Sequence, residues 1–171
     1  MRYILLLLTL CLSSCGNTFY IVRHAEKEPV PAGASQMEAA DPPLSAAGNE
    51  RANQLGRRLH NEPVRAIFST GYKRTKTTAK PLADVKGLPI DTYSSRKDSM
   101  DAFIARLKMI RKGDVLVVGH SNTIDDLANR LAGSTVVPGD LDESVYDNLF
   151  IIKRKGKRFV FSAEKYGAAS K

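Results

Sequence analysis

The sequence predicts an α/β domain: a three-layer α/β/α sandwich around a mostly parallel sheet, with a C-terminal hairpin. Three observations predict it. Runs of β-branched and aromatic residues alternate four times with stretches of helical periodicity, the order that makes a parallel sheet with helices on its faces. Asp114-Val-Leu-Val-Val-Gly119 is almost wholly apolar, as strands covered on both faces are. Two alternating runs then flank Lys155-Gly156 with no helical stretch between them, as in a hairpin.

Each element follows from local chemistry. Thr18-Phe-Tyr-Ile-Val-Arg23 is a short β-branched and aromatic run, hence a strand. Residues 26–44 carry Pro29, Pro31, Gly33, Pro42 and Pro43 and read as one long loop, a length usually reserved for function or motion. Ser45 caps a helix from Ala46 to about Asn61, with Ala52, Leu55 and Leu59 on one face. Ala66–Ser69 is a second buried strand, a helix runs from about Lys73 to Val85, and a weak strand lies near Ile90–Tyr93. Met100, Phe103, Ile104, Leu107 and Ile110 repeat at helical spacing up to Gly113. After the strand Asp114–Gly119 comes a helix from about Asn122 to Leu131. The hairpin strands are Asn148–Lys153 and Arg158–Tyr166.

Composition sets the outer limits. The chain has 171 residues, 26 Lys and Arg against 18 Asp and Glu, a net charge of +8 and 43% hydrophobic residues. That length suits one domain with a closed core. The balance excludes a disordered tail and a multi-span membrane protein, and two Cys exclude a disulfide scaffold. The basic excess points to anionic partners without choosing among them. Lys153, Arg154, Lys155, Lys157 and Arg158 crowd the hairpin tip, either a solvated turn or, in a tethered protein, a face for anionic lipid headgroups.

The N-terminus reads as a targeting segment. Arg2 gives the positive charge, and Ile4 to Leu12 form an apolar run of nine residues, well short of the roughly 20 that span a bilayer. Leu12-Ser-Ser-Cys-Gly16 resembles the lipobox of bacterial lipoproteins. That resemblance implies a signal peptide over residues 1–14, a lipidated Cys15, loss of Cys11, and a single domain over 18–171. The expectation is an exported bacterial lipoprotein, membrane-anchored at the cell envelope.

Three polar clusters fall just after strands: Arg23-His24-Ala25-Glu26, Ser69 to Arg74, and Gly119-His120-Ser121-Asn122. In open α/β sheets ligands bind beyond the carboxyl ends of the strands, so these clusters should meet at one rim. Two His and two Arg there make a cationic concavity suited to a phosphate's oxygens. Each alone has a plainer reading: Arg74 as a solvated helix residue beside Lys73 and Lys76, His120 as a structural histidine. Their joint order after strands lifts the set. His60, ending a helix where a cation suits the dipole, carries no chemistry.

The sequence resembles the histidine phosphatase superfamily, the phosphoglycerate mutase-like proteins. The matching text is Ile21-Val-Arg-His-Ala-Glu26, Pro43-Leu-Ser45 with Gly48 and Arg51-Ala52, Ile67-Phe-Ser-Thr70 with Arg74 and Thr78-Ala79, and Val117-Val-Gly-His-Ser121. Small exported members also carry text like Asp41–Ser45, Gly119–Thr123 and Glu143–Leu149. The resemblance implies a phosphoric monoester hydrolase of the histidine acid phosphatase kind. It would be metal-independent and without cofactor, and would act on a small phosphorylated substrate. His24 would be the nucleophile forming a phosphohistidine. Arg23, Arg74 and His120 would hold the phosphoryl oxygens, with Ser121 also binding substrate.

Two departures stand out. Ala25 replaces the usual Gly, and Ser121 follows His120 where one branch has an acid. The proton donor is therefore open among Asp98, Asp101, Asp41, Glu26 and Glu143. A missing general acid costs roughly 10²–10⁴-fold on poor leaving groups and little on good ones. An alternative reading is a phosphate-ligand binding lipoprotein of the envelope with little or no turnover. A metal-dependent hydrolase is disfavoured, because three His without H-x-H or H-E-x-x-H spacing do not build a metal centre. Nucleic-acid binding has no motif. The expected state is a monomer or weak dimer.

Overall fold

The structure is a computed structural model that describes residues 16–139 and 141–170. Residues 1–14, expected to be a signal peptide, and Cys15 lie outside the described residues. Six strands, β1 (Thr18–Arg23), β2 (Val64–Ser69), β3 (Ile90–Thr92), β4 (Asp114–Gly119), β5 (Asn148–Lys155) and β6 (Arg158–Lys165), form one sheet in the order β3-β2-β4-β1-β5-β6. The β1–β4, β2–β4 and β2–β3 pairs are parallel; β5 runs antiparallel to β1, and β6 to β5. The α/β class, the mostly parallel sheet and the C-terminal hairpin are as the sequence predicts.

Among the described residues the helices are α1 (Gln36–Ala40), α2 (Ala46–Leu59), α3 (Lys73–Lys86), α4 (Lys97–Met109) and α5 (Ser121–Ala132). Successive strand side chains point to opposite faces, and this alternation divides the core in two. Phe19, Ile21, Val115 and Val117 pack with Phe103, Leu107, Ile124 and Leu127 of α4 and α5. Tyr20, Val22, Leu116 and Val118 pack with Leu55, Leu59, Ala79 and Leu82 of α2 and α3. The near-continuous apolar runs of β1 and β4 are thus consumed on both faces.

The structure extends several elements. Residues 26–44 are not wholly loop. Ser35 accepts from the Glu38 backbone N–H and Glu38 accepts from that of Ser35, a capping box that starts the five-residue α1. None of its residues is buried, so it leaves no apolar period to read. An isolated bridge between Lys27 and Leu44 ties the ends of this segment together. The β5–β6 ladder continues to Lys155 and Arg158, leaving a two-residue turn in which Gly156 takes φ +64°. Arg154, expected at the solvated tip, is buried: its guanidinium donates to Asn17 Oδ1 and to the carbonyls of Lys108 and Ile110.

Candidate active site

Three strand ends place the polar clusters at one rim. Arg23, the last residue of β1, pairs with Gly119, the last of β4, and the His24 N–H continues the ladder by donating to the Gly119 carbonyl at 2.9 Å. His120 follows Gly119 directly, and Thr70 follows the end of β2. A cavity of about 420 Å³ opens there, lined among others by Arg23, His24, Arg74, His120, Ser121 and Glu143. The first residues of α5 also line it, so the positive end of that helix faces the same space.

The two imidazoles sit edge to face with centroids 5.3 Å apart. His24 is 4% exposed, and its Nδ1 lies 2.8 Å from the Ala25 carbonyl oxygen. A carbonyl only accepts, so Nδ1 carries the hydrogen and Nε2 is left with a bare lone pair. Burial pushes the His24 pKa down to about 3. Arg23, His120 and Arg74 add to the effect, and the Ala25 hydrogen bond opposes it. His120 is pushed down to about 4 by burial and by Arg74 and Arg23, against Asp41 and Glu143. Its Nε2 bonds Thr70 Oγ1 at 2.9 Å, and Thr70 in turn bonds Thr75 Oγ1. Both imidazoles are therefore neutral near pH 7.

The two arginines are held but not saturated. Arg23, 2% exposed, gives Nη1 to the carbonyls of Asp142, Glu143 and Val145 and Nη2 to Glu143 Oε2 at 2.9 Å; its guanidinium stacks 4.2 Å over Tyr146. Arg74 reaches the Ala40 carbonyl and Asp41 and lies 4.4 Å over Tyr72. The Nε atoms of both are buried with no hydrogen-bond partner among the described residues. An unpaired buried donor costs roughly 1–3 kcal/mol, a cost that an incoming oxyanion would relieve.

The five carboxylate candidates separate. Glu143 lines the cavity and accepts from Arg23 and from Ser121 Oγ. The Ser121 hydrogen bond, with the charges of Arg23 and Lys27, holds its pKa below the usual range. Asp41 does not line the cavity; it accepts from the Lys73 N–H and from Arg74, which does. Glu26 is taken up by Arg51 at 2.6–2.9 Å; burial works to raise its pKa, and the guanidinium outweighs it. Asp98 and Asp101 are exposed on α4, beside Arg96 and Arg130 respectively, and do not line the cavity. Among the described residues no three His, Cys, Asp or Glu side chains are grouped to hold a metal ion.

Sequence reasoning gave no role to several side chains here. Thr78 Oγ1 accepts the Ala25 N–H at 2.9 Å and donates to the Arg74 carbonyl at 2.8 Å. Thr70, Tyr72 and Tyr146 fix the imidazole and guanidinium groups, and Lys27 and Arg96 add cations to the rim. Thr70 and Thr78 lie inside the quoted motif text, which was their only sequence signal. Gly48 has a reason of its own: a Cβ there would meet the Glu26 carbonyl oxygen at 2.1 Å, so α2 can approach the loop after His24 only without a side chain.

Residues 19–95 match the family described as Histidine phosphatase superfamily (branch 1). Phosphoserine phosphatase 1 of Hydrogenobacter thermophilus is 40% identical over 70 residues, 41% of this chain and 33% of that protein. "Probable phosphoglycerate mutase GpmB" of Salmonella paratyphi A is 33% identical over 130 residues, 76% of this chain and 58% of that protein. The chain thus spans between a third and three-fifths of the length of these relatives. Among solved structures, the phosphoglycerate mutase of Bacillus anthracis str. Sterne superposes with TM-score 0.57 at 17% identity, covering 89% of this chain and 93% of its own.

Proposed function

From the match of residues 19–95 to the histidine phosphatase superfamily (branch 1) and from the geometry of the cavity, we infer a phosphatase that hydrolyses small phosphomonoesters through a phosphohistidine on His24. The observation that carries this reading is the pair of neutral imidazoles between two arginines whose buried Nε donors lack partners. A nucleophile needs a lone pair, and a phosphoryl group leaving in line needs its oxygens held and its charge neutralised. His24 offers the first; Arg23 and Arg74 offer the charge and hydrogen bonds of the second, and neutral His120 a hydrogen bond, with Ser121 beside them.

In the first step His24 Nε2 attacks phosphorus, and the bond to the leaving oxygen breaks. Nδ1 keeps its proton on the Ala25 carbonyl. Glu143 is the proton donor in this reading, since it lines the cavity. When a phosphoryl group takes Arg23 from it and sets negative charge alongside, its pKa rises and it takes up a proton to give to the leaving group. In the second step water attacks phosphorus and its proton passes to Glu143. The N–P bond breaks and its electron pair returns to His24.

The test is hydrolysis of p-nitrophenyl phosphate by the purified protein with and without EDTA. The reading expects EDTA-insensitive turnover that His24→Ala abolishes. Turnover that survives His24→Ala, or that EDTA removes, contradicts it. We further propose that the chain is exported and anchored through Cys15, on the pattern of residues 1–16. Cys15→Ser should then weaken its membrane association, and unchanged membrane association would count against the anchor.

A further inference from the structure

The end of the sheet opposite the cavity carries a cluster of six exposed cations. Arg111 and Lys112 lie in the turn before β4, Lys153 and Lys155 on the last residues of β5, and Lys157 and Arg158 at the hairpin turn; all six are exposed. Pairing of Thr18 with Lys153 and of Lys155 with Arg158 brings these segments side by side at the start of β1. Nearby carboxylates are already engaged. Asp114 is buried on the Thr18 N–H, and Glu62 pairs with Arg58. Met109, 75% exposed, and Val160, 44% exposed, stand among the cations.

The chain enters the domain at this same end. Asn17 is tied down by Arg154, whose backbone N–H and Nε both donate to it, and Asn17 Nδ2 donates to the Ile110 carbonyl. The segment that precedes Gly16 in the sequence therefore joins the domain beside Asn17, at this basic face. In the sequence this is the apolar run Ile4–Leu12 followed by Cys15.

We propose that this face docks on an anionic lipid bilayer, with the six cations over the headgroups and Met109 dipping between them. The docking rests on the proposed anchor: exposed lysines around a protruding apolar side chain, at the face where Asn17 lies two residues from the lipid attachment at Cys15, fit a bilayer better than a nucleic acid. Single-stranded nucleic acid is held by stacking groups, and the aromatic ring at this end, Phe159, is covered by Lys108 and Arg154. A duplex held by its phosphates alone would leave exposed Met109 and Val160 unused. A six-residue strand rises about 20 Å, so docking holds the cavity rim about that far above the surface and facing away from it.

The test uses the full chain and sedimentation with two kinds of vesicle, phosphatidylcholine alone and phosphatidylcholine mixed with phosphatidylglycerol. Tighter binding to the mixed vesicles, weakened by salt, is expected. The N-terminal segment, Arg2 included, contributes alike to every variant, so the difference between parent and variant on the mixed vesicles reports the face. Each cation removed should weaken mixed-vesicle binding roughly fivefold, and Lys153→Gln, Lys155→Gln, Lys157→Gln together on the order of 100-fold. The thermal melting point of that variant should match the parent, since none of the three side chains is buried. Equal partitioning onto both vesicles, unchanged binding by the triple variant, or displacement from mixed vesicles by a stoichiometric DNA duplex overturns the proposal.

Discussion

Thr78 joins the two sides of the cavity through Ala25: its hydroxyl accepts the Ala25 N–H at 2.9 Å. The same oxygen donates to the Arg74 carbonyl at 2.8 Å, so one buried hydroxyl sets the spacing between the residue after His24 and the helix that carries Arg74. Thr78→Val removes both bonds at nearly constant shape. It should cost roughly 1–3 kcal/mol of stability, because the Ala25 N–H is left unpaired. It should also lower kcat on p-nitrophenyl phosphate by about 10–100-fold through misplacement of His24 against Arg74. Thr78→Ser should recover most of the rate. A Val variant that loses stability but keeps its kcat would reduce Thr78 to a purely structural residue.

Much of this architecture was legible because the strands are buried on both faces. Phe19, Ile21, Val115 and Val117 need no neighbour to announce a covered strand, and the polar residues after them had to emerge at the carboxyl rim. Strand ends were not legible: where β5 stops at Lys155 depends on β6, a partner the alternation cannot measure. The short α1 escaped because it buries nothing. At the site, Arg23, His24, Arg74 and His120 could be grouped from strand order alone. The contact of Glu143 with Arg23 joins residues 120 apart in sequence, and the carbonyl collar at 142–145 is a property of folded backbone. So five carboxylates looked equivalent until Asp98, Asp101 and Glu26 were found facing Arg96, Arg130 and Arg51.

Glu143 should show itself through leaving-group dependence. With Glu143→Gln, hydrolysis of alkyl phosphates should fall by roughly 10²-fold or more, while p-nitrophenyl phosphate, whose leaving group needs no proton, should change little. Steady-state kinetics over a series of aryl and alkyl esters would give a steeper dependence on leaving-group pKa in the variant. An equal loss on every ester would exclude Glu143 as the donor.

The neutral histidines make stability pH-dependent. In the unfolded chain each imidazole takes up a proton near pH 6.5; in the folded protein His24 does so only at about 3 and His120 at about 4. Between these limits the unfolded state binds more protons, so stability is fully present above about pH 6.5 and is lost as pH falls toward 4. Chemical denaturation at a series of pH values should show that decline. A His24→Phe, His120→Asn variant should show a shallower one. Inorganic phosphate, by supplying negative charge to the cavity, should raise both histidine pKa values in an NMR titration.

Glu26 belongs to the scaffold. Arg51 is 3% exposed, grips the Glu26 carboxylate with Nε and Nη2, and gives Nη1 to the Tyr166 and Ala168 carbonyls. Arg51→Met leaves a half-buried carboxylate and two carbonyls without a partner and should cost about 3–5 kcal/mol, seen as a lower denaturation midpoint. Adding Glu26→Gln should restore part of that loss. If Glu26→Gln alone were to abolish turnover in a stably folded protein, Glu26 would be chemical rather than structural.

The central claim is a covalent bond between phosphorus and His24, and rapid quenching of a reaction with radiolabelled phosphomonoester tests it most directly. The account predicts an acid-labile, base-stable label on the protein, mapped to the peptide containing His24 and absent from His24→Ala. Multiple turnovers that leave no label at any quench time, or a label that persists in His24→Ala, would contradict it.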